Sequence, residues 1–175
     1  MTSLTCFKAY DIRGKLGSEL NEEIAYKIGR AYGQIYQPKT VVIGCDIRLS
    51  SEGLKQATIQ GLIDAGVNVL DLGMTGTEEV YFGAFHLDVQ GGIEITASHN
   101  PKEYNGYKAY WEDGAQVLAP HDTGIIDEVN KVKVEDVKFK GNKALIQIIG
   151  EDIDKIYLDK VHAISIDPEA IKRQK

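Results

Sequence analysis

The stretch VVIGCDIRLSSEGLKQATIQGLIDAGVNVLDLG, residues 41–73, decides the fold class. Its first apolar run, 41–44, is followed by apolar residues at helical spacing over 51–65 and by a second apolar run at 68–73. Short apolar strands that alternate with amphipathic helices are typical of α/β proteins. The stretch therefore predicts a strand, a helix and a second strand in succession.

Residues with cap preferences mark the ends of the predicted helices. Ser50 or Ser51 precedes the first helical pattern as a candidate N-cap, and Gly66 follows it where a left-handed residue is favoured. The next helix is predicted over 77–86, with Thr77 as its cap. These positions predict where the chain enters and leaves each helix.

The alternation continues on both sides of this region. A helix is predicted over 21–36, opened by Asn21 and closed before Pro38, and a further strand is predicted at 91–96. NGYKAYW, residues 105–111, predicts a strand entered by an Asn-Gly turn and paired with its neighbour as an antiparallel hairpin. We therefore expect a layered α/β domain with a mixed sheet.

The charge pattern changes after a helix predicted over 122–132. A charged stretch, KVKVEDVKFKGNK, follows at 131–143, and we place the end of the first domain, residues 1–143, there. Residues 144–175 hold one apolar run and one helical segment, too little apolar surface for a core of their own. They either pack on the first domain or begin a second domain that this chain does not finish.

Composition excludes several functional classes. The 175 residues are 43% hydrophobic and 26% charged, with 20 Lys and Arg against 26 Asp and Glu, so the net charge is -6. No broad basic surface exists for nucleic acid or an anionic membrane, and no apolar run is long enough to cross a bilayer. Cys6 and Cys45 match no zinc or disulfide spacing, and the start of the sequence lacks a signal-peptide core. We expect a cytoplasmic protein.

The densest cluster of chemically active residues is TASHNP at 96–101. It follows an apolar strand, and ligands of layered α/β proteins collect at the carboxyl ends of strands. The Ser98 hydroxyl, beside His99 and near a cation, has the groups needed to accept and donate a phosphoryl group. The alternative interpretation is a polar turn, because all four residue types after the alanine are common in loops.

Two cations are candidates to hold a phosphate beside this loop. Lys108 follows the predicted Asn-Gly turn, which returns it toward Ser98, and Arg13 offers a planar fork suited to bidentate phosphate contact. A second Asp-Ile-Arg at 46–48 also follows an apolar strand, so both arginines are expected at one edge of the sheet. The alternatives are a solvated lysine and a surface ion pair between Asp11 and Arg13.

Three sequence motifs occur in the order in which a known family has them: FKAYDIRG (7–14), TASHNP (96–101) and YNGYK (104–108). The chain resembles the α-D-phosphohexomutases, the phosphomannomutase and phosphoglucomutase group, through about residue 165. The resemblance implies a layered α/β/α domain with a mixed, mostly parallel sheet. It also implies an intramolecular phosphotransferase of the isomerase class that interconverts hexose 1-phosphate and hexose 6-phosphate. Ser98 would carry the phosphoryl group, give it to a hexose phosphate and take one back from the bisphosphorylated intermediate.

The resemblance implies roles for five residues around this serine. Arg13 and Lys108 would stabilise the transferred phosphoryl group and assist proton movement, with His99 in the same catalytic group. Tyr10 and Asn100 would shape the loop and contact phosphate. Each of these roles is an expectation carried over from the family's motifs.

The resemblance also implies cofactors and partners. Mg²⁺ would be held by a phosphate oxygen on Ser98 and by three aspartates of a DGDxDR loop, which this sequence lacks; Asp152 and Asp154 have a different spacing. Hexose 1,6-bisphosphate is the expected activator, and the expected partners are a phosphorylated hexose and the remaining mutase domains. We therefore expect a mutase fragment with negligible turnover alone. Residues 1–101 resemble phosphomannomutases and 102–122 resemble the phosphoglucomutase branch, so the choice of mannose or glucose stays open.

Two other functional classes remain alternatives. A non-catalytic phosphosugar-binding or regulatory module is motivated by the absent metal and sugar motifs, and its ligand affinity would survive Ser98→Ala. An assembly or structural domain is the third interpretation, in which Arg13 and Lys108 only form ion pairs. Replacing those two cations would then leave anion binding unchanged.

Overall fold

Strands and helices alternate along the chain, as the apolar pattern of residues 41–73 predicts. The structure is a computed structural model, and it describes residues 5–8, 11–118, 120–133 and 141–173. In chain order the elements are β1 (Ile12–Lys15), α1 (Glu22–Tyr36), β2 (Thr40–Cys45), α2 (Ser51–Asp64), β3 (Asn68–Met74), α3 (Thr77–His86), β4 (Gly92–Ile95), β5 (Tyr104–Tyr110), α4 (His121–Lys131), β6 (Ile146–Ile148), α5 (Gly150–Ala163) and α6 (Ala170–Arg173).

The strands form one sheet in the order β1-β5-β4-β2-β3-β6. The pairs β4-β2, β2-β3 and β3-β6 are parallel, whereas β5 is antiparallel to both β4 and β1. The mixed, mostly parallel sheet and the antiparallel β4-β5 pair are confirmed. Because β6 pairs with β3, part of 144–175 packs on the first domain; the boundary at 143 stays a prediction.

Helices cover both faces of the sheet. The cluster on one face joins α1, α2 and α4 to the sheet through Leu62, Ile43 and Ile95, among others. The opposite face packs against α3 and α5, with Val80 and Ile153 buried there. The layered α/β/α arrangement is therefore confirmed. Within the described ranges, each helix is too short or too polar to span a membrane.

Local capping explains where two of the helices begin or end. The Asn21 side chain accepts the N–H of Ile24 at 3.0 Å, which satisfies a free donor in the first turn of α1. α1 ends at Gln37, which takes a left-handed conformation (φ 46°) before Pro38. Gly66, with φ 87°, follows the end of α2 as the sequence predicts.

Of the predicted N-caps, Ser50 is confirmed in position and Thr77 is wrong. Ser50 is the N-cap of α2 but makes no side-chain capping bond, and the Ser51 hydroxyl donates to Asp46 at 2.6 Å instead. Gly76, not Thr77, is the N-cap of α3. The Ser51 hydroxyl thus bonds outside its own helix, donating to Asp46 and accepting from the Asn105 side chain.

The predicted Asn-Gly turn is also wrong. Asn105 and Gly106 lie inside β5, and the turn is made by residues 101–103. The buried Asn105 side chain donates to the Ser51 hydroxyl at 2.9 Å, which ties β5 to α2. Gly106 is required for strand pairing, because a Cβ at that position would lie 2.0 Å from the carbonyl oxygen of Ile12 on β1.

Candidate active site

The candidate site lies where β2 and β4 end. These strands are parallel neighbours, and the chain order changes direction across the sheet at β2, with β3 on one side and β4 on the other. Asp46 and Arg48 follow β2, and the loop 96–101 follows β4. Crevices at the carboxyl ends of such strands are the usual ligand sites of open α/β sheets.

Ser98 is exposed at the tip of this loop in a left-handed conformation, with φ 54°. This conformation costs a non-glycine residue about 1–2 kcal/mol, so other contacts must hold it. The N–H of Ser98 donates to the Thr96 hydroxyl at 2.9 Å. Its own hydroxyl oxygen lies 3.3 Å from Nδ1 of His99. The loop thus fixes the serine backbone and leaves the hydroxyl outside.

The guanidinium of Arg48 holds the loop from behind. Its acceptors are the carbonyl oxygens of Ser98 (3.0 Å), Asn100 (2.7 Å), Pro101 (2.9 Å) and Tyr104 (3.2 Å) and the carboxylate of Asp46 (3.1 Å from Nε). A guanidinium has five N–H donors, so these bonds use all of them. The loop shape is therefore set by one arginine that turns four carbonyls inward.

Asp46 connects the Arg48 clamp to the rest of the site. One carboxylate oxygen accepts from the Ser51 hydroxyl, and the other accepts from the Thr96 hydroxyl at 2.8 Å and from Nε of Arg48. From the sequence, the Asp-Ile-Arg at 46–48 was expected at the same edge of the sheet, but its contacts with the loop 96–101 were not predicted. The repeated tripeptide after an apolar strand was the signal that pointed to it.

Arg13 and Lys108 face the same side of the sheet. Arg13 pairs with Gly106 across β1 and β5, and Lys108 stands two residues further along β5, so the pleat turns both side chains one way. Gly106 in turn accepts the N–H of Thr96 at 2.9 Å, which brings the Ser98 loop beside this pair of cations.

The remaining expected contacts are only partly visible. Arg13 makes an ion pair with Asp11 at 2.5 Å, as its alternative interpretation predicts. Within the described ranges, His99 is the residue that hydrogen-bonds to the Ser98 hydroxyl, and the structure shows no bond from Arg13 or Lys108 to it. The Asn100 amide turns inward and donates to the carbonyl of Ala97 at 2.8 Å. Tyr10 lies outside the described residues.

Glu94 is a residue of this region that the sequence reasoning missed. It is fully buried in β4, and neither carboxyl oxygen has a hydrogen-bond partner among the described residues. Burial and the nearby charge of Asp46 raise the pKa of Glu94 to about 9, against the opposing effect of Lys108. The side chain is therefore a neutral acid at pH 7. A charged residue within the apolar run GGIEI was the available signal.

These motifs, separate in sequence, meet at one edge of the sheet. Residues 5–136 match the family described as phosphoglucomutase/phosphomannomutase, alpha/beta/alpha domain I. The chain belongs to this family. The resemblance that the three sequence motifs indicated is thereby confirmed. Membership in the phosphoglucomutase/phosphomannomutase family implies a metal-dependent enzyme.

Individual relatives of the family agree with this assignment. A phosphomannomutase of Salmonella typhimurium is 65% identical over 127 residues, which are 73% of this chain and 27% of that protein. A phosphomannomutase of Klebsiella pneumoniae is 52% identical over 159 residues, which are 88% of this chain and 100% of that sequence. The X-ray crystal structure of a phosphoglucomutase/phosphomannomutase family protein from Burkholderia thailandensis superimposes with a TM-score of 0.76 and 30% identity. That match covers 94% of this chain and 36% of the other.

The chain spans only part of most curated relatives. It covers 27% to 38% of the length of five phosphomannomutases from Salmonella, Escherichia coli and Vibrio cholerae. Further domains are therefore implied for the whole mutase.

The described residues do not by themselves fit a metal ion. In the ranges that the structure describes, no three or more His, Cys, Asp or Glu residues cluster as metal ligands. A phosphate on Ser98 would present one oxygen, and a divalent cation of the hard kind needs about six oxygen ligands. Asp152 and Asp154 lie on α5.

Replacing Glu94 with glutamine is expected to flatten the pH dependence of stability between about pH 5 and pH 9. The carboxyl ionises near 4.5 in the unfolded chain but only near 9 in the fold, so the unfolded state loses its proton first. The free energy of unfolding of the wild type therefore falls as pH rises through this window, by at most about 1.4 kcal/mol per pH unit. Urea unfolding at pH 5, 7 and 9 measures this slope.

The matched control for this measurement is Glu103→Gln, because Glu103 is exposed. Its unfolding curve should keep the pH dependence of the wild type. Parallel curves for the wild type and Glu94→Gln would show that Glu94 ionises equally in both states.

Proposed function

We propose that this chain is the phosphoserine-bearing part of a phosphohexomutase that interconverts hexose 1-phosphate and hexose 6-phosphate. The observation that carries the proposal is the exposed Ser98 hydroxyl on a loop fixed by Arg48, with Arg13 and Lys108 on the adjacent sheet face. A fixed nucleophile beside two cations is the arrangement that phosphoryl transfer needs, because its transition state requires mainly positioning and charge stabilisation.

The transfer step follows from these groups. The Ser98 oxygen attacks phosphorus, so an O–P bond forms to the serine while the bond to the sugar oxygen breaks. The hydroxyl proton passes to Nδ1 of His99, 3.3 Å away, when that nitrogen is unprotonated. Arg13 and Lys108 balance the charge of the phosphoryl group, and the sugar oxygen takes up a proton from solvent as it leaves. The reverse step returns a phosphoryl group to the other sugar position.

The cofactors and partners belong to the same proposal. Mg²⁺ would bind a phosphate oxygen on Ser98 together with ligands from the remaining mutase domains, and hexose 1,6-bisphosphate would supply the first phosphoryl group. The substrate is a phosphorylated mannose or glucose, and the location is cytoplasmic, supported by two buried unpaired cysteines. We place the phosphoserine domain at residues 1–143 and the link to the next domain in 144–175, of which β6 and α5 still pack on the first domain. This chain alone turns over negligibly.

Intact mass and peptide mapping test the proposal. The chain is incubated with glucose 1,6-bisphosphate and Mg²⁺, alone and with the remaining mutase domains in trans. One phosphate is expected on Ser98 in the wild type and in Ser18→Ala, an exposed serine of another loop, and none in Ser98→Ala. A stable phosphate on another serine would contradict the proposal. Phosphosugar affinity that survives Ser98→Ala without any transfer would favour the non-catalytic binding module.

A further inference from the structure

The sheet contains a slot that accommodates the Glu94 carboxyl. Gly44 of β2 pairs with Glu94 of β4 in the parallel register. A Cβ at Gly44 would lie 2.9 Å from one Glu94 carboxyl oxygen. The same Cβ would lie 2.1 Å from a methyl carbon of Thr75 and 3.0 Å from one of Val80. The carboxyl therefore occupies space that only a glycine on β2 leaves open.

Glu94 and Lys108 are cross-strand partners. They stand opposite each other in the β4-β5 register, so their side chains leave the sheet on the same face with Cβ atoms about 4.5–5.5 Å apart. Glu94 is buried and Lys108 is half-buried, so the cation is the more exposed of the two, and their charges interact. Within the described part of the chain, the structure shows no hydrogen bond or ion pair of the Lys108 side chain.

A buried acid without a partner needs a physical reason, since an apolar side chain of similar size fits such a site at lower cost. Resting on the function proposed above, we propose that Glu94 is a positioning residue that acts on the Ser98 site through Lys108. As a neutral acid it leaves the Lys108 ammonium available to the phosphoryl group. As a carboxylate, after releasing its proton to solvent, it draws the ammonium down toward the sheet.

The surroundings of Glu94 determine which state prevails. The charged and titratable groups that face it are Cys45 and Asp46 at the end of β2, Lys55 of α2, Glu78 of α3, and Lys108 and Tyr110 of β5. The two acids and burial oppose ionisation, and the two lysines favour it. The pKa of Glu94 is raised to about 9, so the neutral state prevails at pH 7. The switch to the carboxylate lies above neutral pH.

The binding of inorganic phosphate as a function of pH tests this role. If Lys108 can bind phosphate only while Glu94 is neutral, the phosphate affinity of the wild type falls about fourfold between pH 8 and pH 9.5. Glu94→Gln is isosteric and cannot ionise, so its affinity should stay constant over this range. A purely structural role of Glu94 would leave the two profiles with the same shape, and superimposable profiles would overturn the inference.

The NMR signal of the Lys108 ε-methylene group gives a second readout that needs no ligand. It should show an inflection near pH 9 in ¹³C-lysine-labelled wild type and none in Glu94→Gln. Lys108→Met identifies the signal, and the exposed Lys102 serves as an unaffected reference. A wild-type signal without this inflection overturns the inference even if Glu94→Gln does not fold.

The two proposals fail in different ways. If Ser98 is never phosphorylated but the Lys108 signal still depends on Glu94, only the proposed mutase function is overturned. Phosphorylated Ser98 with identical lysine titrations in the wild type and Glu94→Gln would overturn only the role of Glu94.

Discussion

Replacing Arg48 with lysine is expected to lower the rate of Ser98 phosphorylation at least ~100-fold. Lysine keeps the charge but concentrates its donors on one flexible nitrogen, which cannot reach four carbonyls of the loop at once. Each hydrogen bond to a charged group contributes about 1.5–3 kcal/mol, so losing two of them is enough for this effect. The time course of phosphate incorporation with glucose 1,6-bisphosphate and Mg²⁺, followed by intact mass, measures the rate.

Arg173→Lys is the matched control, because Arg173 is exposed on α6 and, among the residues that the structure describes, its side chain pairs with Asp167. Its phosphorylation rate should equal that of the wild type. Amide hydrogen exchange adds a readout that does not depend on catalysis, since the loop 98–104 should lose protection in Arg48→Lys alone. An unchanged rate together with unchanged exchange would show that the Arg48 bonds do not set the loop.

Replacing Gly106 with alanine is expected to destabilise the fold by about 3 kcal/mol and to weaken phosphate binding. The new methyl group would lie 2.0 Å from the carbonyl oxygen of Ile12 and 3.0 Å from that of Thr96. Backbone atoms cannot rotate away as a side chain does, so β1 must separate from β5 and take Arg13 with it. Urea unfolding measures the stability, and inorganic phosphate titration measures the site.

Gly124→Ala in α4 provides the control for Gly106→Ala. Nothing lies within 4 Å of an added Cβ at Gly124, and alanine in a helix is more favourable than glycine by up to about 1 kcal/mol. We expect equal or greater stability and unchanged phosphate binding for this variant. Equal unfolding curves for the two variants would show that β1 and β5 do not meet as closely as the structure has them.

Local patterns were sufficient to predict the elements of the fold. The apolar spacing over 21–36 and the cap at Asn21 predict α1 closely, because both signals lie within the helix itself. The layered arrangement also follows from alternation, since each amphipathic helix must bury its apolar face on a sheet. Prediction failed where a local pattern is compatible with two structures. An Asn-Gly pair is typical of a turn, but the burial of Asn105 and the close approach of β1 at Gly106 keep this pair in a strand.

The site was predictable only where its residues are adjacent in sequence. TASHNP identified the loop, and the two Asp-Ile-Arg tripeptides pointed to one sheet edge. Which arginine contacts the loop depends on carbonyls about fifty residues from Arg48, and no local signal encodes that distance. The position of Glu94 opposite Lys108 depends on the β4-β5 register, which the misplaced turn had obscured.

Because β1 pairs with a strand far along the chain, it cannot form its sheet contacts until much of the domain has been synthesised. Arg13 is polymerised 93 residues before its partner Gly106, so at ~5–20 residues per second the first strand waits roughly 5–20 s. During that wait its backbone groups stay unsatisfied and open to pairing with other chains, which is the hazard of an edge strand. A ribosome that stalls within the codons for 102–105 therefore leaves a nascent chain whose loop 96–101 is already synthesised while β1 still lacks its partner strand.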